Sequence, residues 1–361
     1  MLIRIAQRRR SRTRRGIRPL LRLARRMARS RTMSRGGATC VDGAEIVILK
    51  GSRLTETDMH LESAVTIRGD TDDPSDVEIV DAVQESRAFA IVHPQARVAN
   101  LTISGTGYYW ASSTGGHVQM SAGTVENCII RDGRINQSSS ADTKSGGGNV
   151  HISGGRLVRC QVLGGVLAAN AWNLNVSYGA GVYATGGIVD SCLIKGNQSY
   201  NNGRCGGIYV SGDAKVVNCT VTGNLPPPSG SGDTVTAGIH IGSAEATVAN
   251  CVFYGNGDGS AKANFGNANL DRFFYCGSSV TNESCATWTV LTDADFVDYA
   301  GGNLHQKRDS QLVDHGTTDT TYRPADCSTL DLDGSPRIQG RIIDIGCYEA
   351  STGIGSVYYI R

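Results

Sequence analysis

The chain has 361 residues, of which 46 are glycine, 8 are proline and 6% are aromatic, a composition that suits many short strands and tight turns better than helices packed by leucine and alanine. Fourteen of the 35 basic residues fall in residues 1–35, which hold no acid, so the remainder sets 21 basic residues against 33 acidic ones, a net charge of about −12. That balance argues against nucleic acid as a partner of the body, because polyanions bind through basic patches, and no stretch approaches the roughly 20 apolar residues of a membrane helix.

Residues 1–36 contain the run RRRSRTRRGIRPLLRLARRMARSR. It reads as a nucleic-acid or membrane-surface tail, as an organelle transit-like sequence, as a disordered tail, or as a start placed upstream of a product that begins near Met27 or Met33. It lacks the apolar core of a secretory signal. Because so charged a segment cannot bury a core, it is expected to be dispensable for folding.

The segments EIVILKG (45–51), VTIRGDTDDPSDVEIVD (65–81) and RAFAIV (87–92) come next. From there one pattern repeats six times: VANLTISG (98–105), VENCIIRD (125–132), LVRCQVLG (157–164), VDSCLIKG (189–196), VVNCTVTG (216–223) and VANCVFYG (248–255). Its anchors Leu101, Cys128, Cys160, Cys192, Cys219 and Cys251 are 27, 32, 32, 27 and 32 residues apart. The anchor, the residue three before it and the residue two after it are always apolar, and the residue just before it is always polar, which predicts a half-buried strand. Gly105, Gly164, Gly196, Gly223 and Gly255 stand four past the anchor, where a residue tolerant of left-handed backbone would end the strand in a turn. Asn197, Asn224 and Asn256 follow three of them and are expected to stack as a hydrogen-bonded ladder.

A second strand precedes each anchor with a glycine-rich lead-in: GGHVQM (115–120), GGNVHI (147–152), AGVYAT (180–185), GGIYVS (206–211) and AGIHIG (237–242). Repeats of this size bury their apolar faces only by stacking. The fold class predicted is all-β, a right-handed parallel β-helix solenoid over residues 37–270, with residues 271–361 forming its C-terminal end and a terminal block.

The ladder cysteines read as buried thiols, since in-register parallel neighbours about 4.8 Å apart fit disulfide geometry poorly. Cys276 with Cys285, and Cys327 with Cys347, lie outside the six copies and are the better candidates for disulfides. No paired C-x-x-C supports a zinc site.

On the glycine-led strands the residues between the inward ones are Gln119, His151, Tyr183, Tyr209 and His240. They are expected to face solvent as one column, able to stack on sugar rings and bond hydroxyls, or to ladder against one another and shield the backbone. The column holds no paired carboxylates. Asp132, Asp190, Asp213, Lys195 and Arg204 fall in or beside turns on different coils and are expected to be solvated. His151 and His240 are three coils, or roughly 14 Å, apart and cannot share a metal. No cofactor is called for by a motif, although GDTDDPSD (69–76) has the acids of a calcium loop and equally the composition of an ordinary one.

The glycine-led strand followed by V-x-N-C-x-[IV]-x-G-N resembles the β-helix repeats of the pectin-lyase-like superfamily, and residues 45–51, 65–81 and 87–92 resemble the opening coils of the same proteins. Residues 293–316 and 330–350 resemble the C-terminal block of bacterial choice-of-anchor Q domain surface proteins, most specifically in Asp333-Gly334-Ser335-Pro336-Arg337, Asp344-Ile345-Gly346 and Glu349. Those proteins usually carry an envelope anchor after the block, where STGIGSVYYIR stands here. The resemblance implies an extracellular or cell-surface protein, expected to be a monomer. It is expected to bind a polysaccharide or another cell-surface partner without turning it over. A polysaccharide lyase or hydrolase acting on uronic-acid glycan is the alternative, which would need acids to hold calcium with an Arg or Lys base, or paired carboxylates.

Overall fold

The structure is a computed structural model describing residues 3–6 and 42–351, apart from 56–57, 82–86, 106–107, 111–113, 138–144, 170–176, 201–202, 228–235 and 267. Within each repeat the inward residues, for example Val98, Leu101 and Ile103, are all buried, but their spacing is three and then two. A straight strand keeps a spacing of two. The residue before the anchor absorbs the difference: Asn100, Asn127, Arg159, Ser191, Asn218 and Asn250 all have φ between 47° and 57°. Asparagine enters this left-handed region at least cost among side chains larger than glycine. The single half-buried strand expected from the pattern is therefore two strands, such as Arg97–Ala99 and Thr102–Gly105, meeting at a corner.

These strands stack, coil on coil, into separate sheets. Strands before the corner form sheet A, from Ala44–Ile48 through Thr247–Ala249 to Phe273–Phe274, and strands after it form sheet B, from Arg53–Thr55 to Thr289–Val290. The glycine-led strands continue from Met59–Leu61 and Phe89–Ile91 to form sheet C, which ends at Ile239–Ile241. Sheet D, containing Arg134–Gln137, Val166–Ala169 and Gln198–Tyr200, widens the middle coils. Successive coils pair in parallel and in register, as in Val125↔Leu157 and Val118↔Val150. The protein is a parallel β-solenoid.

Two polar or sulfur columns run inside it. Each ladder thiol donates to the carbonyl two residues before it and to one in the coil below, as Cys219 does to Val217 at 3.1 Å and to Val189 at 3.6 Å. Cys276 does the same with Phe274 and Val248, and Tyr275 before it has φ 52°. It is thus a further rung, 25 residues after Cys251. The ten described cysteines are all free, which corrects both disulfide candidates. Cys276 is committed to the ladder, while Cys327 packs on Val217 and Ala249 and Cys347 on Leu193, Leu304 and Leu332.

The asparagine ladder is present and longer than expected. Asn197 Nδ2 donates to Asn224 Oδ1 and Asn224 Nδ2 to Asn256 Oδ1, both at 2.9 Å, and Asn256 Nδ2 reaches Asn264 Oδ1 at 3.1 Å. The same oxygens accept the backbone N–H of Asn197, Asn224 and Asn256. Where the lower coils lack an asparagine after the glycine, Asn149 and His117 of the glycine-led strands reach across instead. Asn149 Oδ1 accepts from Gly133 N–H and its Nδ2 donates to Asn197. His117 Nε2 bonds the Arg131 carbonyl, and its Nδ1 lies 3.5 Å from the buried Asp81 carboxylate.

The ends and one corner are covered. Helix Ala261–Phe265, capped by Ser260, sets Phe265 edge-on against Phe273 and Trp288 over the last coil. At the other end Ile3–Ala6 pairs antiparallel with Ala44–Ile48; the rest of the basic tail lies outside the described residues. The terminal block folds back onto the A–B corner. Asn250 exchanges hydrogen bonds with Thr317, Ser328 N–H donates to the buried Asp190, and Gly346 N–H reaches the Asn250 carbonyl at 2.9 Å. Arg337 passes into the corner, contacting Ser191 Oγ and the Asn218 carbonyl while pairing with Glu349 at 2.8 Å, both side chains being 2% exposed or less.

Candidate functional site on sheet C

Parallel pairing puts one outward residue of each sheet C strand directly above the next: Gln119↔His151, His151↔Tyr183, Tyr183↔Tyr209 and Tyr209↔His240. All five site residues read from the sequence therefore share one column. It continues below Gln119 through Ala90 to His60, which pattern reading missed because those coils lack the glycine lead-in.

The column is less open than expected. Gln119 and His151 are half-buried, but Tyr183 and Tyr209 are 7% exposed and His240 is 4% exposed. The rings cover one another: His151 stacks on Tyr183 at 5.0 Å and Tyr209 on His240 at 5.1 Å. Tyr178, from the neighbouring strand Ser177–Tyr178, lies 5.3 Å from Tyr183 and 4.4 Å from Tyr209. A sheet's outward face is thus not always a solvent face when its side chains are wide enough to bridge the coils about 4.8 Å apart. Glycine makes room for this, since a Cβ on Gly242 would strike the Tyr209 hydroxyl and one on Gly146 would lie 2.7 Å from the Tyr183 ring.

Two guanidinium groups flank the rings. Arg87 bonds Gln119 Oε1 and the Thr114 carbonyl. Arg204, expected in a solvated turn, instead lies half-buried with its Cζ 5.7 Å from the Tyr178 ring centre. Burial, reinforced by Arg87 and Arg204 respectively, lowers the pKa of His151 and of His240 to about 4. Burial pushes the Tyr209 phenol up to about 12. At neutral pH the rings are uncharged and the arginines supply the positive charge.

The other candidates resolve into structural parts. Asp190, expected to be solvated, is buried and accepts from Ser191, Asn218 and Ser328. In the 69–76 loop, Asp73 holds Ser75, Asp72 accepts from Asn100, and Asp76 pairs with Lys50 at 2.8 Å. Among the described residues no cluster of three or more His, Cys, Asp or Glu is arranged to hold a metal, and no helix is long and apolar enough to cross a membrane. The signature residues of the terminal block hold it together: Asp344 accepts from Asp314, Gln306 and Ala350, and Asp331 from Ser335 and Glu349. No family model matches the chain, and no curated protein is significantly similar to it.

Proposed function

We propose that the protein is a secreted or surface-displayed binding module that takes a glycan, or another cell-surface partner, on sheet C without turning it over. The observation that carries this reading is the five-coil aromatic and amide column, held in register by backbone pairing and flanked by Arg87 and Arg204. The half-buried Gln119 amide and His151 imidazole suit sugar hydroxyls, beside the edges of the mutually stacked tyrosines. The resemblance of the repeat and the terminal block to bacterial surface β-helices supports the same reading, although a fold by itself hosts binding and catalysis alike.

A glycan array with the full chain, followed by an assay for unsaturated uronate with calcium present, tests it. The expected result is binding without product. Binding should weaken in the half-buried pair Gln119→Ala plus His151→Ala, and more in Tyr183→Ala plus Tyr209→Ala, with circular dichroism verifying the fold of each. Sustained turnover of a uronic-acid polymer would overturn the reading, and absence of any binding would leave a purely structural role.

A further inference from the structure

Arg204 stands apart from the arginines of sheets A and B. Arg68 pairs with Glu45, Arg97 and Arg159 with Glu126, Arg131 with Glu78, and Arg156 with Asp190 and Asp326. Each lies within 4 Å of a carboxylate. Arg204 has no such partner among the described residues; its Nε is buried without a hydrogen bond, and its guanidinium lies beside the Tyr178 ring. Its other neighbours are the Tyr209 hydroxyl and His240, the latter within reach of Thr236 Oγ1 at 3.4 Å. Those groups are neutral at pH 7. A half-buried cation among neutral groups carries a desolvation cost that an incoming anion would offset.

We propose that the Arg204 guanidinium receives the acidic group, carboxylate or sulfate, of a sugar unit at the edge of the pair Tyr178 and Tyr209. The proposal rests on the reading of sheet C as a glycan face and adds the charge of the ligand. A planar guanidinium offers paired donors matched to either oxyanion. The Tyr209 phenol beside the guanidinium stays protonated and donates to the same acidic group. No metal is needed to bridge protein and acid, because the arginine provides the charge.

The test titrates the full chain, in EDTA, with three hexasaccharides of matched length: a uronate, a sulfated glycan and a neutral glucan. Calorimetry and tyrosine fluorescence read binding. One acidic probe should bind at least about tenfold more tightly than the neutral one, the difference expected for a charge-assisted contact. That preference should disappear in Arg204→Gln, persist in part in Arg204→Lys, and shrink between about 50 and 300 mM salt. The uronate and sulfate arms identify which acid is recognised. Equal binding of the neutral probe, or a preference that survives Arg204→Gln, overturns this proposal and leaves the glycan reading standing. Binding of none of the three overturns this proposal, and the array result decides the glycan reading separately. If Arg204→Gln melts below the parent, the Arg204→Lys and salt results decide, since both keep the positive charge at the site.

Discussion

The A–B corner and sheet C are built from the same coils by the same register, yet they end in opposite conditions. At the corner, the stacked Asn218, Asn250, Ser191 and Asp190 are met by backbone and side chains of the terminal block, so every polar rung has a partner supplied from elsewhere in the chain. On sheet C the rungs are aromatic and cover one another, while the guanidinium beside them has no acid among the described residues. A solenoid's stacking makes columns without choosing their purpose. What packs against a column makes it a structural seam or a place for a ligand.

The contrast breaks most visibly at Arg337. Arg337→Ala leaves Glu349 buried with its cation gone, which should cost about 3–5 kcal/mol and appear as a large drop in melting temperature. If the two regions are independent, glycan binding below the new transition should be unchanged. Inside the coils, Asn224→Ala removes the acceptor for both the N–H and Nδ2 of Asn197. A loss of about 2–3 kcal/mol in chemical denaturation is expected from the unsatisfied donors.

The pH dependence separates the regions more finely. His151 and His240 titrate near 4 in the folded chain and near 6.5 when unfolded. Between those values the unfolded state binds more protons, so stability should fall as pH drops from about 6.5 to about 4 and be insensitive to these histidines above that window. The partial exposure of His151 and relaxation around a protonated ring limit the combined effect to on the order of 2 kcal/mol. The double variant His151→Asn plus His240→Gln should flatten this limb in melts recorded across the pH range; an unchanged limb would place the acid sensitivity elsewhere.

Smaller still is Gly242→Ala, whose Cβ must displace the Tyr209 hydroxyl. It should weaken binding severalfold while costing no more than about 1–2 kcal/mol, a split that separates the site from the scaffold in paired titrations and melts. Deleting residues 1–35 should matter least. Among the described residues, Ile3–Ala6 pairs with the solenoid at one edge, and a shift beyond about 4 °C would show that the tail does more than cover that edge.

Much of this was legible in order along the chain. The repeated anchor column, the glycine turns and the asparagines after them required stacked coils, because no single repeat can bury its own apolar face. Even the corner left a trace in the spacing of three and then two between Val98, Leu101 and Ile103, an interval that one straight strand cannot keep on one face. The column Gln119, His151, Tyr183, Tyr209 and His240 followed from period-two alternation, which backbone pairing realises residue by residue. Its burial did not follow. Alternation assigns a side chain to a face of the sheet but is silent about what else arrives there, and Tyr178 and Arg204 come from segments outside the repeated columns. The same limit concealed the substitution of His117 and Asn149 into the asparagine ladder, the place of Cys276 as a further rung, and the role of Arg337, whose partners Ser191 and Asn218 lie more than a hundred residues away. Local pattern determined the coil because the coil's hydrogen bonds and apolar faces repeat at fixed intervals; only tertiary structure decided which columns are covered, because that depends on aperiodic segments folding back across many coils.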